Sequence, residues 1–184
     1  MRPRVQDARW LLSAIAGMGL ACASACTDPD PPPDPPVAEL QAGTAAPDGS
    51  GFVVTETGQD AELVPGAQGG FHIWINFRVH KAAGKLYVRR EARRSVDDAL
   101  ILRGQRSLVE VPEDAMTGWW QPANAGPAFM CPSPLGIKVF DTDVAFQVLL
   151  ENEAGDLMAS DEIILTPRCP EGDQNAFCQE ICSG

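Results

Sequence analysis

One stretch limits the possible folds more than any other. Residues 69–80 read Gly-Gly-Phe-His-Ile-Trp-Ile-Asn-Phe-Arg-Val-His. Phe71, Ile73, Ile75, Phe77 and Val79 alternate with His72, Trp74, Asn76, Arg78 and His80. A period of two places the two sets on opposite faces of a β-strand. The apolar set has no polar interruption, so the stretch is expected to be a central core strand, and the rest of the chain must supply strands to cover it.

Strand-like runs recur at about ten-residue intervals, separated by turn residues. They lie at 52–57, 61–64, 85–92, 99–103, 107–111, 135–140, 144–151 and 161–166. Residues 81–84 read as a turn, so 71–80 and 85–92 are expected to pair as a hairpin. Arg90 interrupts the apolar face formed by Leu86, Val88 and Ala92, which suggests a position near a sheet edge. Residues 112–134 form the longest irregular region and hold Trp119 and Trp120. Apart from the N-terminal segment, the only helical signal is a short turn around residues 177–182. The pattern predicts an all-β fold, a single antiparallel β-sandwich of immunoglobulin-, fibronectin- or transthyretin-like type.

The N-terminus carries an address. Arg2, Arg4 and Arg9 precede an uncharged run at 10–21, followed by the small residues around Cys22 and Cys26. As a helix the run would reach about 18 Å, short of the roughly 30 Å hydrocarbon core, which favours a cleaved leader over a membrane span. Gly19-Leu20-Ala21-Cys22 and Ala23-Ser24-Ala25-Cys26 both fit a loose lipobox. The region resembles the signal of bacterial surface lipoproteins, in which a Cys after small residues is lipidated and becomes the new N-terminus. That resemblance implies a membrane partner through the lipid and a place in the cell envelope, at the outer membrane or cell surface.

Cys22 and Cys26 both remain candidates, as does simple secretion after Ala23-Ser24-Ala25. Parity favours Cys26: Cys22 then leaves with the leader, and Cys131, Cys169, Cys178 and Cys182 can pair fully in an oxidising compartment. Of the three connectivities, local spacing favours Cys169 with Cys178 and Cys131 with Cys182. Residues 27–36 are Asp, Pro and one Thr, a composition that favours extended polyproline II and cannot form a core. The expected organisation is a signal peptide at 1–25, a lipidated Cys and Pro/Asp-rich linker at 26–42, and a sandwich domain with a disulfide-rich tail at 43–184.

The formal net charge of −11 argues against a nucleic-acid partner. Residues 78–106 run against that balance, with nine Lys or Arg and three acids. With Tyr87 the only aromatic residue there, they read as solvated strand faces.

Catalytic motifs are missing. There is no Gly-x-Ser-x-Gly elbow, no phosphate-binding glycine loop opening a helix and no His-Glu-x-x-His. The two histidines lie about 26 Å apart along one strand, too far to share an ion within one subunit. A copper-binding surface protein, suggested by His72 beside Trp74, is one alternative. A hydrolase built on paired carboxylates is another. The leading expectation is a binding or structural module without cofactor or metal. Its candidate ligand-binding residues are His72, Trp74, Trp119 and Trp120, and a protein or a carbohydrate is the expected ligand.

Overall fold

A computed structural model describes residues 37–184. The expected signal peptide, Cys22, Cys26 and most of the expected linker lie outside the described residues. Ten strands form two sheets. The first sheet is built on β4 (Phe71–His80). Ile75 is partnered by Thr44 of β1 (Glu39–Thr44) on one edge and by Gly126 of β8 (Gly126–Cys131) on the other. The short β3 (Val64–Pro65) continues the β1 edge at His72 and Phe71.

The second sheet has the order β2 (Gln59–Glu62), β10 (Leu157–Arg168), β9 (Val144–Glu151), β5 (Gly84–Arg94), β6 (Ala99–Leu102). β7 (Ser107–Val111) also pairs with β5. All pairings are antiparallel except β2 with β10. A short α1 (Asn175–Ile181) closes the tail.

The apolar face of β4 is the centre of the core. Phe71, Ile73, Ile75, Phe77 and Val79 are each at most 2% exposed. Val88, Phe146, Val148, Leu150 and Leu165 of the second sheet are as completely buried and belong to the same core. The chain is thus all-β with two layers, as the alternation requires.

Several local expectations are corrected. β4 and β5 do not form a hairpin: they belong to different sheets, and the turn between them, with positive φ at Lys81 and Gly84, carries the chain across the sandwich. Nor is β5 an edge strand, since β9 lies on one side and β6 and β7 on the other.

Residues 39–44, expected in the linker or its transition to the domain, form β1. Residues 52–57 are not a strand; only Val53 bridges, to Thr44. The reason is a close crossing at Gly43, where a Cβ would come within 2.6 Å of the Phe52 ring and 2.5 Å of the Val53 carbonyl. The chain turns back over β1 and sends Phe52 across the outer face of β4 instead of extending the sheet.

Residues 135–140 are also not a strand. Their backbone groups are satisfied locally and by the tail: Ile137 N–H donates to Pro134 O and Val139 N–H donates to Cys182 O. The missing strand is β8, inside the stretch expected to be irregular. Ala128 and Met130 point into the core while Pro127 and Phe129 point out. Proline is tolerated because β8 pairs with β4 alone and so forms an edge.

Two disulfides fasten the tail, Cys131–Cys182 and Cys169–Cys178. This is the connectivity that the spacing favours.

Candidate functional site

The outward face of β4 is not bare. His72 is 6% exposed and Asn76 is fully buried. Asn76 explains part of the cover: its amide N–H groups donate to Gly51 O and Pro122 O, and its Oδ1 accepts from the Phe77 N–H at 2.9 Å. One buried side chain therefore ties together the turn after β1 and the loop before β8. Trp74 is half-buried, and its indole N–H donates to Pro47 O at 3.1 Å, with Gly49 against the ring. The cover over Trp74 is thus the 47–49 turn, and the 112–134 stretch covers its neighbours.

Trp119 and Trp120 separate by function. Successive side chains of extended backbone point to opposite sides. Trp120 bridges Val79 through both backbone hydrogen bonds and packs edge-on against Phe77, so it is partly buried against the core. Trp119 is 46% exposed and lies over the Arg78 guanidinium at 4.6 Å, close to His80. Arg78 also donates to Gln41 and sits 5.4 Å from the Phe52 ring. One face of Trp119 is therefore occupied by Arg78, well along the strand from His72. The four candidate residues do not form one site.

His72 and Trp74 do come together. Their rings meet edge to face at 4.4 Å, and Phe129, paired across from His72 on β8, lies 5.8 Å from it. These three rings, the Gly66–Gly70 turn and Pro132 enclose a cleft of about 510 Å³, with no charged side chain in its lining. Phe129 is 61% exposed, an unusual position for a large apolar ring. Both ring nitrogens of His72 are buried without a hydrogen-bond partner. Burial holds its pKa below the usual 6.5. At neutral pH the ring is therefore uncharged and offers one N–H donor and one bare acceptor. A buried polar group without partners costs free energy, which a ligand can recover only if the cover over the ring shifts, since neither nitrogen is open to solvent.

This arrangement sets a pH dependence. The unfolded state protonates His72 near pH 6.5, the folded state only at lower pH, so stability is fully present above pH 6.5 and is lost as pH falls below it. Chemical denaturation of wild type and His72→Phe at stepped pH should show wild type losing stability relative to the variant below pH 6.5. Parallel profiles would contradict this.

Sequence reading missed Phe129, Asn76 and the Gly66–Gly70 rim. The available signal for Phe129 was the alternation of Pro127 and Phe129 with Ala128 and Met130, obscured by prolines on both sides. As for metal, the one group of three or more potential ligands among the described residues is Cys169, Cys178 and Cys182, all held in disulfides.

The fold and cleft define the class: an all-β, disulfide-fastened sandwich with an aromatic-walled, uncharged cleft on its outer face. No family model and no curated protein sequence matches the chain. A crystal structure of Bacteroides uniformis β-glucuronidase is similar at a TM-score of 0.37 and 13% identity, over 68% of this chain and 12% of that one. The chain thus spans a small part of that protein's length.

Proposed function

We propose that this chain is a lipid-anchored extracytoplasmic binding module that takes an uncharged saccharide in the His72–Trp74–Phe129 cleft. The observation that carries the reading is the pair of unpartnered ring nitrogens of His72, buried between aromatic walls. A sugar presents an apolar C–H face to aromatic rings and hydroxyls that both donate and accept. A neutral imidazole can answer with a donor or an acceptor once its cover shifts to open a ring nitrogen to the cleft. The absence of charged side chains from the cleft lining suits an uncharged ligand better than a peptide bearing charged groups. The anchor rests on the leader and Cys26: mass spectrometry of protein from the native membrane should find Cys26 as an acylated N-terminus, and an unmodified Cys26 would contradict it.

The ligand is tested with a glycan array probed with the exported protein, followed by calorimetry on wild type and Phe129→Ala. Phe129 is largely exposed, so its truncation should leave the melting temperature within a degree or two while weakening saccharide binding at least tenfold, about 1.4 kcal/mol. An array without hits, or equal binding by the variant, would reject the saccharide reading.

A further inference from the structure

The positively charged stretch 78–106 is mostly spoken for. Lys81 pairs with Glu39, Arg93 with Asp98, Arg94 with Asp97, and Glu151 is shared by Arg89 and Arg106. Arg90 differs. It projects from the inward face of β5 toward Phe77, whose ring centroid lies 5.7 Å from its guanidinium carbon. No carboxylate pairs with it among the described residues, and its Nε is buried with no hydrogen-bond partner. Desolvation pulls its pKa below the usual arginine value. In a chain of net charge −11, a cation pointed into the sandwich without an acid is a poorly satisfied group.

The fold makes room for it. Gly126 of β8 faces the guanidinium so closely that a Cβ there would come within 2.6 Å of Nη1. Gly104, between β6 and β7, packs directly against the Arg90 backbone, where a Cβ would come within 1.8 Å of Arg90 O, and a cleft of about 340 Å³ opens between this segment and β8. Its lining combines Arg90, the exposed Arg103, Gln105 and Ser107 with the apolar Leu102, Pro127 and Phe129. Phe129 and Pro127 thus form a ridge shared with the His72 cleft.

We propose that this cleft is a second binding site, independent of the saccharide reading, which takes a monocarboxylate with an apolar body. The guanidinium Nε is enclosed, so a carboxylate would be met by the terminal nitrogens, whose fork matches its two oxygens. The Leu102, Pro127 and Phe129 walls accept an apolar body and disfavour a strongly hydrated dianion such as phosphate. Arg90 contacts the ligand directly, and Gln105 and Ser107 offer further hydrogen bonds to it.

Benzoate is the probe, and its neutral isostere benzamide is the control. Titration of the ¹⁵N-labelled full chain should give saturable shifts of the Arg90 side-chain N–H and the Gly126 amide with benzoate. Benzamide and inorganic phosphate should give none. Arg90→Met should abolish the benzoate response while keeping a melting temperature no lower than wild type, because exchanging an unpaired buried charge for an apolar side chain does not destabilise. Should Arg90→Met fail to fold, Arg90→Lys decides: it keeps the charge without the fork and should bind benzoate at least tenfold more weakly. Equal response to benzamide or phosphate, undiminished binding by either variant, or no saturation below about 20 mM benzoate (a binding free energy weaker than about −2.3 kcal/mol) would overturn the proposal.

Discussion

Replacing both Cys131 and Cys182 by Ala should lower the unfolding free energy by about 4 kcal/mol. The bond spans a sequence separation of 51, against 9 for Cys169–Cys178. Loop-closure entropy grows with the logarithm of loop length, so the shorter bridge is worth about 2.7 kcal/mol and the longer one dominates. The longer bridge also positions contacts. Ser133 N–H donates to Ile181 O, and Val139 N–H donates to Cys182 O, so the tail serves as pairing partner for residues 133–139. Both cysteines must be replaced together. Cys178 Sγ lies 3.8 Å from Cys182 Sγ, and a single free thiol there would be placed to exchange with the neighbouring bridge. Denaturant melts of the two double variants should rank Cys131/Cys182 below Cys169/Cys178. The reverse order would show that the tail is held by packing rather than by the long bridge.

Ile75→Ala should cost about 2–5 kcal/mol. Ile75 is fully buried and sits where β4 is paired on both edges, by Thr44 and by Gly126. Backbone fixed on both sides cannot collapse into the void, which places the effect toward the upper end of that range. A shift in the denaturant midpoint at unchanged slope would measure it, and a loss below about 1 kcal/mol would mean that the two sheets can close over the gap.

The strength of β4 as a signal came from its period of two, and each of its five inward positions is buried. The same rule failed wherever an element was short or interrupted. β8 was hidden because Pro127 and the Cys131-Pro132 step look like loop chemistry. Residues 52–57 and 135–140 have strand composition, but in each case a non-local partner took the backbone. Gly43 brings Phe52 across β1, and the tail pairs with Val139. Alternation told which face of β4 His72 occupies, not that the outer face is itself covered. That cover comes from Asn76 holding Gly51 and Pro122, contacts 25 and 46 residues away in sequence, which no local pattern records. The split between Trp119 and Trp120 likewise depended on the bridge to Val79. Arg90 was visible as an interruption of an apolar face, but its meaning depended on the space opposite Gly126.

The proposed saccharide site rests on His72. The ring resonances of His72 and His80 can be followed by NMR across pH, with and without a saturating array-selected saccharide. Bonding to the neutral imidazole and exclusion of water should shift the His72 resonances on binding and move its titration to still lower pH, with His80 unchanged. A His72 that titrates identically with and without ligand, while His80 beside Trp119 responds, would place the binding face at the other end of β4.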